Sequence, residues 1–208
     1  MYKGIFITIE GGDGSGKSTQ VNNIKKYFEG KDYEVVYTRE PGGTKIGEKI
    51  RDIILDKNNI EMDNMTEALL YAASRAQHVA QVIKPALEDG KVVICDRFID
   101  SSIVYQGYGR QMGDCVTTIN EFAVAGCMPD LTLLLLLDPA VGKNRIRVDQ
   151  QDRLELEKIE FHNRVYEGYQ LLLAKYPDRV VAINANTNIE TIRDEIYREL
   201  DRVLEFGR

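Results

Sequence analysis

The feature that most constrains this chain is a glycine-rich loop of eight residues near its beginning. Residues 11–18 have the spacing of a phosphate-binding loop, and Lys17 and Ser18 stand at its end. The β-branched and aromatic residues 5–9 before the loop predict a buried strand. The residues after it have an apolar helical period, at Val21, Ile24 and Phe28. A strand before the loop and a helix after it are the context in which such a loop forms a site.

The residues of this loop suit the binding of phosphate groups. Glycines allow successive backbone N–H groups to turn toward phosphate oxygens, and the N-terminus of the following helix adds its positive dipole. Lys17 is expected to reach the β- and γ-phosphates, and the Ser18 hydroxyl is expected to ligate Mg²⁺. We therefore predict a nucleoside triphosphate site formed by Gly11, Gly12, Asp13, Gly14, Ser15, Gly16, Lys17, Ser18 and Thr19.

The composition limits the classes of protein to consider. With 208 residues, the chain is long enough for one α/β domain with a full core and short for two. Its net charge of −6 disfavours a general nucleic-acid binder, because no basic surplus exists to neutralise phosphates. The three cysteines form no C-x-x-C pair and there are only two histidines, which disfavours a zinc site and fits a reduced, cytoplasmic compartment.

No segment of the sequence predicts secretion or a membrane span. The N-terminus runs directly into the first predicted strand, so we expect no signal peptide. The longest apolar run, residues 131–137, is far too short to cross a bilayer and instead predicts a strand buried on both faces. We therefore expect no membrane partner.

Strand-like and helix-like segments alternate along the whole chain. Strands are predicted at residues 5–9, 34–38, 91–96, 131–137 and 179–183. A long helical stretch begins near Asn64, where Asn64 and Glu67 form a candidate capping box, and Pro85 is expected to kink it. Five strands with helices between them predict the three-layer α/β architecture of the P-loop NTPase fold, a five-stranded parallel sheet with helices on both faces. We expect residues 1–208 to form a single domain.

Charged residues directly follow the predicted strands. Ligands of open parallel sheets bind at the carboxyl ends of the strands. The charged residues after the first three strands are Glu10, Arg39, Glu40, Asp96 and Arg97. Polar residues also end strands for purely structural reasons, but charged groups at several adjacent strand ends indicate a site.

Asp96 and Arg97 suggest two different roles at the end of the third strand. Asp96 after an apolar strand is like a Walker B carboxylate, which holds Mg²⁺ directly or through water, although it also suits a helix N-cap. Arg97 suits a bidentate grip on a phosphate group. Metal ligands are therefore predicted at Ser18 and Asp96.

A second group of residues suits the binding of a flat base. Tyr71 and Arg75 are four residues apart in a predicted helix and so share one face. An aromatic ring and a guanidinium suit stacking and hydrogen bonding to a heterocycle. The alternative is a half-buried tyrosine beside a solvated arginine. Residues 101–107, just beyond Asp96, offer hydroxyls, a phenol and an amide and form a candidate acceptor pocket.

Five motifs of this chain resemble those of the thymidylate kinase family. They are residues 6–14, 38–44, 96–98, 101–107 and 152–155, in the family's order over essentially the whole chain. The resemblance implies transfer of the ATP γ-phosphate to dTMP, which gives dTDP and ADP for dTTP biosynthesis, with Mg²⁺ as cofactor. It also implies a cytoplasmic homodimer.

The resemblance also implies roles for individual residues. Asp13 would contact the acceptor end of the nucleotide, and Arg97, with Arg39 and Arg51, would hold the phosphate of dTMP. Tyr71 would stack on thymine, Arg75 and Gln106 would bind the edge of the base, and Tyr105 would pack where a ribose 2′-OH would otherwise lie. The predicted substrate-binding residues are Asp13, Arg39, Glu40, Arg51, Tyr71, Arg75, Arg97, Ser102, Tyr105 and Gln106.

The phosphate loop contains no arginine, and this selects a mechanism within the family that the chain resembles. Some members of that family place a catalytic arginine inside the loop, whereas residues 12–15 here are Gly-Asp-Gly-Ser. The transition-state cation should then come from a lid near residues 145–155, as in the bacterial type, with Arg153 favoured and Arg147 second. The predicted catalytic residues are Asp13, Lys17, Arg97, Arg147 and Arg153.

Two other functions are compatible with parts of the sequence. A deoxynucleoside kinase on the same fold would have to deprotonate a neutral hydroxyl, and Glu40 is then the candidate general base. The many arginines argue against a neutral acceptor. A switch GTPase would need an N-K-x-D motif after a late strand and a D-x-x-G motif after the third, and neither is present there.

Overall fold

The fold is built on a five-stranded parallel sheet. The structure, a computed structural model, describes residues 3–145 and 152–206. The strands lie in the order β2-β3-β1-β4-β5. They are β1 (Ile5–Gly11), β2 (Val35–Arg39), β3 (Val92–Asp96), β4 (Leu131–Leu136) and β5 (Val180–Asn184). The predicted sheet is confirmed, and each predicted strand is present with its ends shifted by at most two residues.

Helices connect the strands and cover both faces of the sheet. In chain order they are α1 (Lys17–Glu29), α2 (Lys45–Leu55), α3 (Asn64–His78), α4 (Lys84–Glu88), α5 (Ile99–Ser102), α6 (Cys115–Val124), α7 (Pro139–Arg145), α8 (Ile159–Lys175) and α9 (Ile189–Phe206). Two π-helical segments, Val79–Ile83 and Ile103–Gly109, continue α3 and α5. Within the described ranges, we find no helix that is both long enough and apolar enough to span a membrane.

Both faces of the sheet are buried, because successive side chains of a strand point to opposite sides. Ile7 and Ile9 of β1 pack with α1 and α9 on one face. Phe6 of β1 packs with α4 and the segment after β3 on the other face, where a further cluster joins Leu134 of β4 to α8. This two-sided burial explains the continuous apolar runs of the strands and produces the three layers.

The order of the strands places the phosphate loop at a crevice. β2 and β3 lie on one side of β1, whereas β4 and β5 lie on the other, so the chain crosses β1 between β3 and β4. Such a reversal leaves a crevice at the carboxyl ends of the strands, where ligands bind. Ile9 of β1 is paired with Asp96 of β3. The loop after β1 and the charged end of β3 are therefore neighbours.

Two details of the long helical stretch differ from the prediction. The capping box is wrong, since the N-cap of α3 is Asp63, whose Oδ1 accepts a hydrogen bond from the Met65 N–H at 2.9 Å. Glu67 is instead turned inward and is 1% exposed. The helix changes character before Pro85 rather than at it, through the π-helical segment Val79–Ile83. Pro85 stands in the first turn of α4, where its missing N–H costs little.

Candidate active site

A cleft of about 320 Å³ opens at the carboxyl ends of β1, β2 and β3. It brings together most of the predicted site residues: Asp13, Gly14, Lys17, Ser18, Arg39, Glu40, Arg51, Tyr71, Arg75, Asp96, Arg97, Ser102, Tyr105 and Gln106. The remaining predicted triphosphate-binding residues complete the same loop and the start of α1: Gly11, Gly12, Ser15, Gly16 and Thr19. Side chains from distant parts of the sequence thus face one space.

The phosphate loop has a backbone that glycine adopts most readily. Gly11, Gly14 and Gly16 have φ angles of +142°, +75° and +93°, which disfavour a side chain. Gly14 also packs closely on α7, because a Cβ at this position would lie 2.3 Å from the carbonyl oxygen of Gly142. The glycines therefore set the shape of the loop.

The ammonium group of Lys17 lies over this loop. Its Nζ donates hydrogen bonds to the carbonyl oxygens of Gly11 at 3.1 Å and Gly12 at 3.0 Å. Burial and the positive charge of Arg97 lower the pKa of Lys17 to about 8. An anion bound at the loop would favour the charged lysine again, so the surroundings of Lys17 suit a phosphate group.

Asp96 and Ser18 fit a magnesium ion. Asp96 ends β3 beside the phosphate loop, and its Oδ1 is buried with no hydrogen-bond partner among the described residues. Ser18 is exposed in the first turn of α1, and both residues border the cleft. Carboxylate and hydroxyl oxygens are hard ligands, and Mg²⁺ beside nucleotide phosphates uses only one or two carboxylates of the protein.

Asp13, Arg97 and Tyr105 form one hydrogen-bonded group in the cleft. Arg97 Nη2 donates to Asp13 Oδ1, and the Tyr105 hydroxyl donates to Asp13 Oδ2 at 3.2 Å. The Arg97 guanidinium also lies 5.0 Å from the centre of the Tyr105 ring, a cation–π contact. Burial raises the pKa of Asp13, but the charges of Arg97 and Lys17 outweigh it, so this pKa is lowered and the carboxylate is ionised. Arg97 has a φ of +65°, a strained conformation of the kind that clusters at functional sites.

Two further arginines meet at the loop after β2. Arg39 Nη1 and Arg51 Nη1 both donate to the carbonyl oxygen of Pro41, at 3.0 and 2.9 Å. Arg39 Nη2 also pairs with Glu48 Oε2 at 3.0 Å. Burial and the charge of Arg39 lower the pKa of Arg51. Two guanidinium groups held this close together form a positive pocket that suits a phosphate group.

Arg75 is fixed inside the wall of the cleft and is 1% exposed. Its Nη1 donates to Ser102 Oγ at 2.9 Å and to Asn120 Oδ1, and its Nη2 donates to the carbonyl oxygen of Phe98 at 2.9 Å. With the bond from Nε to Glu40, four of the five guanidinium donors have acceptors. The alternative of a solvated arginine is therefore wrong.

Glu40 is fully engaged by other side chains. Its Oε2 accepts from Arg75 Nε at 2.8 Å, and its Oε1 lies 2.9 Å from His78 Nδ1. The residue is 4% exposed. A general base needs a free oxygen that reaches the substrate hydroxyl, so this arrangement argues against the deoxynucleoside kinase alternative. Glu40 instead holds the guanidinium group of Arg75 in position beside the cleft.

Tyr71 and Gln106 border the cleft next to Arg75. Tyr71 stands one turn before Arg75 on α3, as the spacing predicted. Burial and the negative charge of Glu67 raise the pKa of Tyr71, so its phenol is neutral. Gln106 is 1% exposed, and its Nε2 donates to Glu67 Oε1 at 3.0 Å. An aromatic ring, a guanidinium and an amide thus border the same end of the cleft.

Arg153 lies beside α2 and α3 and does not line this cleft. Its Nε donates to the carbonyl oxygen of Ile54 at 2.8 Å, and its Nη2 donates to Glu67 Oε2 at 2.6 Å. Arg147 lies outside the described residues. Arg145 at the end of α7 donates to the Gly14 carbonyl oxygen at 3.4 Å. The catalytic roles of Arg147 and Arg153 stay predictions.

Two carboxylates buried at the site, Glu67 and Glu10, have no specific role predicted from the sequence, although Glu10 is among the charged residues that directly follow strands. Glu67 accepts hydrogen bonds from Gln106, Arg110 and Arg153. One signal for it is present in the sequence, because Glu67 precedes Tyr71 by four residues and so shares the helix face that carries Tyr71 and Arg75. The other carboxylate, Glu10, directly precedes the phosphate loop.

Glu10 joins the end of β1 to the segment after Arg97. Its carboxylate accepts from the backbone N–H of Phe98 at 2.7 Å, from Ser101 Oγ at 2.6 Å and from the Tyr169 hydroxyl at 3.0 Å. Burial and the negative charge of Asp100 raise the pKa of Glu10 to about 7. The carboxylate that orders the site is therefore costly to ionise in the folded state.

The raised pKa of Glu10 predicts a dependence of stability on pH. Because this pKa is higher in the folded chain than in the unfolded one, the stability it contributes is present at low pH and is lost as pH rises through about 7. Between pH 5 and 8, wild type should lose on the order of 2 kcal/mol of unfolding free energy relative to Glu10→Gln. Urea unfolding of both proteins measures this difference. The exposed control Glu61→Gln should change in parallel with wild type, and a constant difference between wild type and Glu10→Gln would contradict the prediction.

The fold and the cleft together define a class of protein. A phosphate loop stands at the crevice of a parallel sheet, and a second group of cations faces it across the cleft. The first suits a nucleoside triphosphate and the second an anionic acceptor. The site is that of a P-loop phosphotransferase, a kinase.

Comparison with known proteins gives the family. The family model described as thymidylate kinase matches residues 9–196. The thymidylate kinase of Clostridium novyi is 54% identical over 200 residues, which cover 94% of this chain and 98% of that one. The thymidylate kinase of Halalkalibacterium halodurans is 50% identical over 208 residues, 98% of this chain and 99% of that one. The chain belongs to the thymidylate kinase family.

A solved structure extends this likeness to the fold. The crystal structure of thymidylate kinase from Ehrlichia chaffeensis matches with a TM-score of 0.78 and 34% sequence identity. The match covers 95% of this chain and 98% of that one. The predicted P-loop NTPase fold and the predicted kinase activity agree with this family.

Proposed function

We propose that the protein transfers the γ-phosphate of ATP to dTMP, giving dTDP and ADP for dTTP biosynthesis. The observation that supports this most is the distribution of cations around the cleft. Arg39, Arg51 and Arg97 border it together with Lys17 of the phosphate loop. An acceptor that carries a phosphate group needs such charges, whereas a neutral hydroxyl acceptor does not.

The chemistry of this transfer requires position and charge more than proton transfer. A nucleotide phosphate at neutral pH already presents an anionic oxygen, so no general base is needed. The enzyme has to hold two anions in line and neutralise the charge between them. In our proposal Lys17 and the loop N–H groups hold the triphosphate, and Arg39, Arg51 and Arg97 hold the phosphate of dTMP. Asp13 fixes Arg97 at the junction of the two sites.

The base of dTMP is proposed to lie against Tyr71, Arg75 and Gln106. Tyr71 would stack on the ring, and the two polar side chains would bind its edge. Tyr105 would close the pocket beside the sugar, where its hydroxyl is held by Asp13. Ser102 and Glu40 would act by holding Arg75.

A magnesium ion is proposed to be held by Ser18 and Asp96, whose oxygens fit it. When bound, such an ion would offset the negative charge that develops during phosphoryl transfer. Glu10 orients this site, because it fixes the segment just after Asp96. The fit rests on the buried Oδ1 of Asp96, which has no other partner among the described residues.

We propose that residues 145–155 form a lid that supplies the transition-state cation, with Arg153 favoured and Arg147 second. In the conformation described, Arg153 contacts Glu67 and the Ile54 carbonyl. When the lid closes over both nucleotides, Arg153 would have to break these contacts in order to reach the phosphoryl group that is transferred. Closure would also exclude water, which otherwise competes as the acceptor.

The experiment that tests this proposal compares dTMP with thymidine as acceptors. Purified protein with Mg²⁺ and ATP is given each compound, and ADP release is followed in a coupled assay. We expect dTMP to be the better acceptor, because the arginines have no counter-charge in thymidine. Preferential phosphorylation of thymidine would refute the proposal and favour the deoxynucleoside kinase.

Four further proposals concern the domain organisation, oligomeric state, location and partners of the enzyme. We propose that residues 1–208 form one domain and that the active form is a homodimer. Support for the dimer comes from exposed apolar residues on α3 and α6, namely Met65, Leu69 and Phe122. We also propose a cytoplasmic location, which the free thiols of Cys95 and Cys115 support. The acidic net charge of −6 supports the proposal that nucleic acid is not a partner.

A further inference from the structure

Glu67 is a buried carboxylate that receives hydrogen bonds from three side chains. Gln106 Nε2 and Arg110 Nε donate to its Oε1, at 3.0 and 3.2 Å. Arg110 Nη2 and Arg153 Nη2 donate to its Oε2, at 3.1 and 2.6 Å. Every one of these partners is a donor, so the carboxylate is used only as an acceptor.

The charge of Glu67 fixes which end of the Gln106 amide faces it. Burial alone would raise the pKa of Glu67, but hydrogen bonds from Arg110, Gln106 and Arg153 and the positive charge of Arg110 lower it, so Glu67 is ionised. An ionised carboxylate has no hydrogen to donate. If the amide of Gln106 were turned over, two oxygens would face each other in a buried place, which is costly.

The orientation of Gln106 determines what the cleft offers to a base. With its nitrogen bound to Glu67, Gln106 has its Oε1 left as an acceptor, and no described residue donates to that oxygen. Arg75 retains one N–H of Nη2 without an acceptor among the described residues. The two residues border the same cleft and offer one acceptor and one donor.

One acceptor beside one donor matches only some pyrimidines. Thymine and uracil present a donor at N3 and an acceptor at O4. Cytosine presents an acceptor at N3 and a donor at N4, so it would set acceptor against acceptor and donor against donor. A polar site rejects a base of the wrong pattern because its own buried groups then lose their partners.

We infer that Glu67 is a positioning residue for base selection, which acts by holding the Gln106 amide with its oxygen toward the substrate. This inference rests on the proposed function, and it concerns a side chain that does not itself line the cleft. The discrimination between thymine and cytosine nucleotides then depends on a side chain at position 67 that can only accept hydrogen bonds.

The variant Glu67→Gln tests this inference, because it keeps the shape and adds a donor. Oε2 accepts from two arginine N–H groups, of Arg110 and Arg153, whereas Oε1 accepts from only one, Arg110 Nε, so the retained oxygen is expected at the Oε2 position and the new NH₂ group against Gln106. Gln106 then turns its nitrogen toward the cleft. The substrates compared are dTMP and 5-methyl-dCMP, which differ only at N3 and C4. We expect the ratio of their kcat/KM values to fall by about tenfold or more.

The ratio removes effects that are common to both substrates. Loss of the Arg153 contact alters phosphoryl transfer equally for the two acceptors, so it cancels. Glu157 supplies a matched control, since it accepts from Arg110 Nη1 at 2.5 Å and has no bond to Gln106. Glu157→Gln should leave the ratio unchanged. An unchanged ratio in Glu67→Gln would overturn the inference.

A double variant separates positioning from general disturbance. If Glu67 acts through Gln106, then Glu67→Gln should change the ratio by less than about twofold when Gln106 is already alanine. An equal fall in both backgrounds would show a structural effect and overturn the inference. Wild type that fails to phosphorylate dTMP in the same assay would instead refute the proposed function.

A measurement on wild type covers the case in which the variant does not fold. The side-chain NH₂ of Gln106, assigned by its absence in Gln106→Ala, should exchange with solvent at least about tenfold more slowly than that of the exposed Gln111. Protection is expected without nucleotide, because the nitrogen is bound to Glu67 rather than turned to the open cleft. Exchange as fast as that of Gln111 would overturn the inference.

Discussion

Replacement of Lys17 by alanine is expected to lower kcat by about a thousandfold while the fold remains intact. The ammonium group is the only part of this side chain that can neutralise phosphate charge at the loop. The shape of the loop belongs to Gly11, Gly14 and Gly16, whose positive φ angles do not depend on residue 17. The measurement is steady-state kinetics with ATP and dTMP, with urea unfolding as the check of the fold.

A second lysine of the same helix is the matched control for this variant. Lys25 is half-buried on α1 and pairs with Glu29 at 3.9 Å, about two turns beyond Lys17. Lys25→Ala should retain wild-type kcat. If Lys17→Ala also turned over at the wild-type rate, the assignment of this loop to the transferred triphosphate would be wrong.

Replacement of Arg153 by alanine is expected to lower kcat on the order of a thousandfold, with a much smaller change in the KM for dTMP. An arginine that meets the transferring group acts mainly in the transition state, and such arginines contribute about 10³–10⁵-fold in related reactions. The phosphate loop has no arginine of its own to take this role. Separate determination of kcat and KM for each nucleotide checks the expectation.

Arg164 offers a matched control for Arg153. Its Nε donates to the Gly109 carbonyl oxygen at 3.0 Å, much as Arg153 donates to Ile54, and it does not line the cleft. Arg164→Ala should leave kcat close to wild type. A large rise in KM for Arg153→Ala with an unchanged kcat would make Arg153 a binding residue and move the catalytic role to Arg147.

The parts of the molecule that local sequence determines were predictable. The glycines of the phosphate loop determine its conformation. The strands are recognisable as continuous apolar runs, because both faces of the sheet are buried. The spacing of Tyr71 and Arg75 places them on one helix face whatever surrounds the helix. The order of charged residues at strand ends located the cleft, since parallel strands end at one edge.

The contacts that hold the site together were not predictable, because their partners are distant in sequence. Glu67 meets Gln106, Arg110 and Arg153, which are 39, 43 and 86 positions away. The sequence pattern predicted instead that Glu67 forms a capping box with Asn64, and this prediction was wrong. Glu40 illustrates the same limit, since a carboxylate at a strand end suggests a general base until its partners Arg75 and His78 are known.

In our proposal one cleft aligns two anionic nucleotides end to end. A single molecule that joins adenosine and thymidine through a chain of five phosphates tests it most directly, by inhibition measured against each substrate in turn. We expect inhibition competitive with both ATP and dTMP, with an affinity at least about a hundredfold higher than that of either nucleotide alone. Competition with only one of the two substrates would contradict it.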